Sequence, residues 1–149
     1  MTTNNQATII KTGNEQRDAV IALLQSANLP VKDLPNTLDN FFVALHDGKV
    51  IGAIGLEQYG DCGLLRSMVV DPRYRNKNIA SQLVLQLEQY ATGKGIHSIY
   101  LLTETAPLFF ERKAYNKITR EEVPKALQAS SEFSHICPVS AIVMHKQLQ

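Results

Sequence analysis

Two groups of residues in this chain have the types and spacing to do chemistry. The first lies in the stretch 63–81, GLLRSMVVDPRYRNKNIAS. Gly63 to Val70 read as a strand, dense in branched apolar residues, with one charge, Arg66, inside it. Asp71-Pro72 stop the ladder, because proline lacks an N–H and disfavours helix at the residue before it. Arg75 to Ala80 form a short polar turn that runs into Ile79, Leu83, Val84, Leu87 and Ala91, the spacing of one helix face. The first-turn N–H groups of a helix have no partners inside it, so strand, polar loop and helix start make an anion pocket. Its expected guest carries phosphate. The second group is Glu57 with Arg66. Glu57 falls mid-strand in an otherwise apolar row, where an isolated carboxylate is costly, and Arg66 on the next strand is its obvious partner. A carboxylate so placed can take a proton from an amine, directly or through one water. The same pair also reads as a structural ion pair.

The elements that must position these residues follow from hydrophobic patterning. Ala7 to Lys11 read as a first strand, with Asn14 as the N-cap of a helix whose apolar face is Val20, Leu23, Leu24 and Ala27. That helix ends near Asn28-Leu29-Pro30, and residues 30–40, with two prolines, read as an irregular connection with room for one helical turn. Phe41 to Leu45 and Lys49 to Tyr59 are strands joined by Asp47-Gly48, a hairpin signal. Alternation places Ile51, Ala53, Gly55, Glu57 and Tyr59 on one face of the second strand. Gly60-Asp61 turn the chain into the strand that carries Arg66. The helix after the polar loop runs from Ile79 to Thr92, with Gly93 as its C-cap. Ser98 to Leu102 form a strand, parallel to its predecessor because a helix connects them. Pro107 opens a short helix with Leu108, Phe109 and Arg112 against the core. Tyr115 to Thr119 read as strand, Val123 to Ala129 as a helical turn and Ala141 to Lys146 as the last strand. Between these, Ser130 to Pro138 form a polar-aromatic loop. Its Glu132, Phe133, His135 and Cys137 are varied enough to recognise a polar zwitterion; the plainer reading is a solvated loop with one buried cysteine.

At 149 residues the chain is expected to form one domain with a real core. A net charge of +1, with both signs spread along the chain, gives no nucleic-acid surface. The two cysteines, Cys62 and Cys137, are too few for a disulfide scaffold and too far apart for a zinc motif, so no metal is expected. No stretch approaches the ~20 apolar residues of a membrane helix. The first ten residues have neither a basic region nor a long apolar run, so no secretory leader is expected and the cytoplasm is the expected compartment.

The residues 70–80, Val70-Asp71-Pro72-Arg73-Tyr74-Arg75-Asn76-Lys77-Asn78-Ile79-Ala80, resemble motif A of the GCN5-related N-acetyltransferases, Arg/Gln-x-x-Gly-x-Gly/Ala. Ala106 to Tyr115, APLFFERKAY, is similar to motif B of the same family, A-x-x-F-Y-E-K-x-G-F. Element order agrees over essentially the whole chain. Closer in, LLRSMVVDPRYR, LLTETAPLFFERK and SSEFSHICPVSA resemble the arsenic-resistance branch of these enzymes. The resemblance implies an α+β fold. Its centre is a mixed, mostly antiparallel sheet of six to seven strands, splayed into a V-shaped cleft, with about four helices. It implies acetyl-CoA as cosubstrate and the amine of a small molecule as acceptor, an amino-acid-like toxicant linked to arsenic resistance. The chain would act as a monomer or a homodimer.

The same resemblance distributes roles. Arg75, Asn76, Lys77, Asn78, Ile79, Ala80 and Ser81 would hold the pyrophosphate, and Phe109, Phe110 and Arg112 would add cofactor contacts from motif B. A main-chain N–H at a bulge near Met68, Val69 and Val70 would polarise the thioester carbonyl. Glu57 ranks first and Glu104 second as the base; Arg66 would bind a substrate carboxylate, and Glu132, Phe133 and Cys137 would line the acceptor site. Four positions depart from the family pattern. Asn76 and Asn78 replace glycines, which asparagine can do because it tolerates left-handed backbone angles. Phe110 replaces the tyrosine that protonates the departing thiolate, leaving water, Tyr115 or Ser67 for that step. Ala114 replaces the motif B glycine. These departures motivate a rival, a non-catalytic acyl-CoA-binding or regulatory module.

Overall fold

A computed structural model describes residues 7–75, 77–130 and 141–148. The expectations placed on Asn76, Glu132, Phe133, His135 and Cys137 lie outside the described residues. In chain order the elements are β1 (Thr8–Lys11), α1 (Arg17–Ser26), β2 (Phe41–His46), β3 (Lys49–Tyr59) and β4 (Cys62–Val70). They continue with α2 (Ile79–Gly93), β5 (Ser98–Thr103), α3 (Pro107–Arg112), β6 (Asn116–Ile118), α4 (Lys125–Gln128) and β7 (Ile142–Gln147). The strands hydrogen-bond in the order β1-β2-β3-β4-β5-β7-β6, the expected mixed, mostly antiparallel sheet. The chain forms two compact units.

The first unit comprises residues up to Leu56 together with Ser67–Gln89. β1 and β2 pair antiparallel, as do β2 and β3. Asp47 and Gly48 both take positive φ, 52° and 76°, the geometry of the tight primed turn their sequence signals. α1 lays Val20 and Leu24 over Phe41, Val43, Ala53 and Val69. Gly55 is dictated by packing: a Cβ there would sit 2.4 Å from the buried Phe41 ring. Two expectations are corrected. Asn14 is not the N-cap: it opens a 3-10 turn, Asn14–Gln16, capped by Gly13, whose backbone N–H bonds the Gln16 side chain at 2.6 Å. Gln16 is the N-cap of α1. Residues 30–40 form turns rather than a helical turn. Their prolines break the ladder, while Leu34 and Leu38 still reach the core and Arg17 Nη1 donates to the carbonyl of Pro35.

The second unit comprises Glu57–Arg66 and residues from Tyr90 onward. β4 and β5 pair in parallel over Cys62–Leu64 and Ser98–Tyr100, as a helical crossover requires. β7 pairs antiparallel with both β5 and β6. Leu64, Tyr100 and Val143 from these strands pack under Val123 and Leu127. Here also two expectations are corrected. Gly93 is the last helical residue, and Gly95 (φ 81°) takes the left-handed cap position. The Ile96 N–H bonds back to Ala91 O and the Gly95 N–H to Thr92 O, the paired bonds of a Schellman ending. In α3 the core residue is Phe110, 3% exposed, while Leu108 is 67% exposed and Arg112 is exposed. The helix is only six residues long, and the ring of Phe110 meets Phe109 and Tyr115 edge-on at 5.1 and 5.5 Å, which sets the buried face.

Candidate active site

The residues singled out by sequence divide between the two units. In the first unit, β4 ends at Val70 and the chain passes through Asp71 into a short 3-10 turn, Pro72–Tyr74. Asp71 is buried and its side chain accepts from the Arg73 backbone N–H at 3.0 Å and from the Arg73 guanidinium at 2.8 and 3.2 Å. Those bonds, the guanidinium first, lower its carboxyl pKa to about 2. The Asp71 N–H in turn donates to Ile51 O on β3, so the loop is anchored where it leaves the sheet. His46, at the end of β2, packs against the Tyr74 ring at 5.3 Å.

The loop then delivers Arg75, Lys77 and Asn78 to the start of α2. Arg75, Lys77 and Asn78 are exposed, and Ile79 is buried as the helix's first core residue. Asn78 has φ +62°, so the left-handed angle that asparagine tolerates is in use at the place where a glycine is usual. Its carbonyl accepts the first helical bond, from the Gln82 N–H at 3.0 Å. The N–H groups of Ile79, Ala80 and Ser81 then precede the first possible intrahelical acceptor, which leaves three parallel donors at the positive end of a 15-residue helix. Upstream, Ser67 has φ +58° in mid-strand, immediately before Met68, Val69 and Val70. A left-handed angle at a non-glycine residue costs about 1–2 kcal/mol. Such strain gathers where a site requires it.

In the second unit, Arg66 and Glu57 meet as expected: Arg66 Nη1 donates to Glu57 Oε2. The burial is unequal. The Arg66 side chain is 0% exposed and that of Glu57 is 23% exposed. A buried guanidinium without a counter-charge would cost several kcal/mol, so the pairing holds the fold whatever else it does. Sequence reasoning missed the rest of this network. Tyr59 Oη donates to the other oxygen, Glu57 Oε1, at 2.5 Å, and the buried Ser130 hydroxyl hydrogen-bonds to the same phenol. Desolvation, then the bond to Glu57 and its charge, push the Tyr59 pKa well above the ordinary phenol range. The signal for Tyr59 was present, since alternation puts it on the Glu57 face; Ser130 arrives only through tertiary folding.

Glu104 is exposed in the bend after β5. Phe109 is half-buried, with the Lys113 ammonium 5.6 Å from its ring centre, and Phe110 is committed to the core. Tyr115, 1% exposed, is core as well. Among the described residues no group of three or more His, Cys, Asp or Glu side chains could hold a metal ion. None of their helices is long and apolar enough to cross a membrane.

The sequence pattern of the acetyltransferase (GNAT) family matches residues 13–117, which include both the left-handed loop into α2 and the Glu57–Arg66 pair. The chain belongs to that family. An uncharacterised N-acetyltransferase of Chlorobaculum tepidum is 31% identical over 98 residues, 65% of this chain and 63% of the relative. An amino-acid acetyltransferase of Aeromonas salmonicida is 25% identical over 95 residues, 62% of this chain and 22% of the relative. The chain thus spans less than two thirds of these relatives. Among solved structures, N-acetylglutamate synthase from Neisseria gonorrhoeae, complexed with coenzyme A and N-acetyl-glutamate, superposes with a TM-score of 0.83 at 16% identity. That match takes in 99% of this chain and 36% of the other. Rv2747 from Mycobacterium tuberculosis, in complex with CoA, has a TM-score of 0.82 at 23% identity over 95% and 99% of the two chains. These two likenesses establish the shared GNAT fold.

Proposed function

We propose that this member of the acetyltransferase (GNAT) family is an acetyl-CoA-dependent N-acetyltransferase acting on the amine of a small molecule. The observation that carries the reading is the start of α2. A left-handed Asn78 opens the turn without a glycine, and three helix-terminal N–H groups follow it. Aligned N–H groups at a positive helix end suit a pyrophosphate, and Arg75 and Lys77 add charge beside them. Acetyl-CoA would supply the activated acetyl group as a thioester. Around it the chain's own residues divide the work. The left-handed angle at Ser67 is suited to turning a main-chain N–H of Met68 or Val69 toward developing oxyanion charge. Glu57, 23% exposed and held on both oxygens, receives the amine proton, directly or through a water. Phe110 offers no proton, but a thiol of pKa ~8.5 leaves tolerably as the anion.

The finer acceptor class is an amino acid or an amino-acid-like toxicant. Arg66, expected to bind a substrate carboxylate, is instead fully buried and committed to Glu57; the amino-acid acetyltransferases and N-acetylglutamate synthase to which the chain is similar support that class. The link to arsenic resistance rests on the sequence resemblance. A non-catalytic acyl-CoA-binding module is the second reading; the burial of Phe110 and Tyr115, which leaves no phenol of motif B near solvent, favours it.

Calorimetric titration of acetyl-CoA, with Arg75→Ala as control, followed by a thiol-release assay over a panel of amino acids and amines, tests the proposal. Binding that weakens in the variant, together with thiol release, is expected. Binding without release from any acceptor would move the protein to the second reading. Absence of binding would overturn both.

A further inference from the structure

We propose that Tyr59, backed by Ser130, is the positioning residue for the proton-accepting carboxylate: the phenol holds Glu57 Oε1, Arg66 holds Oε2, and the acceptor amine meets the lone pairs that remain. The inference rests on the reading of Glu57 as base and deepens it. A carboxylate oxygen can accept two hydrogen bonds, and among the described residues each oxygen of Glu57 accepts one, from Tyr59 on one side and Arg66 on the other. The side chain is therefore fixed at both ends while 23% of its surface stays open. A free glutamate has three rotatable bonds and would present its oxygens in many directions; two donors on separate strands select one.

Tyr59 is itself held. It lies two residues from Glu57 on the same face of β3, and its ring packs against the cluster of Leu64, Tyr100, Val123, Leu127 and Val143. The Ser130 hydroxyl, just beyond α4, hydrogen-bonds to its phenol oxygen. A donor to a phenol polarises its O–H and strengthens the bond it gives onward. The groups that face the phenol are Glu57 on its own strand, Arg66 on β4 and Ser130 beyond α4. None of them turns Tyr59 into an acid at working pH, because burial and the Glu57 carboxylate hold its proton in place. Its part is to aim and to stabilise the charged form of Glu57, without giving up a proton to the reaction.

The test uses Tyr59→Phe and Ser130→Ala in the intact protein, with two readouts. In steady-state acetyl transfer, Tyr59→Phe is expected to lower kcat roughly ten- to hundredfold by loosening the base, with KM for acetyl-CoA unchanged. Ser130→Ala should lower kcat in the same way by less. Separately, the ultraviolet signal of phenolate formation, taken as the difference between wild type and Tyr59→Phe, should shift to lower pH in a Glu57→Gln background. This second readout needs no turnover. Active wild type with unchanged kcat in Tyr59→Phe would overturn the positioning role alone. A phenol titration unmoved by Glu57→Gln would also overturn it. Absence of transfer by wild type would overturn the acetyltransferase reading, and with it this proposal.

Discussion

Asp71 illustrates how one carboxylate can anchor a functional loop. Its carboxyl pKa is lowered from an unfolded value of 3.8 to about 2 by bonds from the Arg73 guanidinium and the Arg73 N–H. A lowered folded-state pKa means the contribution is fully present above about pH 3.8 and is lost as pH falls through 2. Asp71→Asn keeps a capping oxygen and removes the charge that meets Arg73. It is therefore expected to lower stability at pH 7 by less than about 1 kcal/mol, the usual range for a pair with one exposed partner. The difference between variant and wild type should shrink between pH 4 and 2. Thermal melts across that range check it, and a constant difference would mean the carboxylate charge is not what matters. The Arg73 side chain is 68% exposed, so added salt should reduce the effect. At this scale the sequence was informative about Glu57 and Arg66, since an unpaired charge in an apolar row demands a partner. It was silent about Ser130, whose bond to Tyr59 joins residues 71 positions apart.

The element that matters most is the start of α2. Asn78 adopts φ +62°, so its side chain is tolerated and not required. Asn78→Gly is expected to keep or slightly improve acetyl-CoA affinity, since glycine reaches left-handed angles without steric cost. Asn78→Val should weaken binding and lower stability by roughly 1–2 kcal/mol, because a β-branched residue resists that angle. Calorimetry with both variants distinguishes them; equal affinity in the two would show that the turn does not shape the site. Element boundaries were readable wherever turn chemistry is local. Asp47-Gly48 and Pro72 are examples. Gly93 against Gly95 shows the limit. Both glycines fit a helix ending by sequence, and the choice fell to the position from which Ile96, 1% exposed, could be buried while its N–H returned to Ala91.

For the whole molecule, binding and stability are linked. A ligand held only by the folded chain stabilises it by about 2.7 kcal/mol at a hundredfold excess over Kd. For a chain of this size that amounts to a rise in Tm of roughly 5–10 °C. Acetyl-CoA is expected to produce such a rise, and Arg75→Ala to diminish it at equal concentration. A melting curve unmoved by saturating acetyl-CoA would contradict the donor site independently of any acceptor. The same scale explains why family membership was legible. Motif A and motif B are runs of about ten residues each, and their contents answer to local backbone demands that survive wide divergence elsewhere.

By itself the sequence determined the element order, the polar loop into an apolar helix, and the need for Glu57 to find an opposite charge. Each follows from interactions between neighbours in the chain or from alternation along one strand. Only the tertiary structure decided which face of α3 is buried, that Ser67 carries a left-handed angle inside a strand, and that Glu57 is held on both oxygens. These depend on which side chains meet across distant segments. A strand's pattern shows that a face is covered, and the fold alone shows by what.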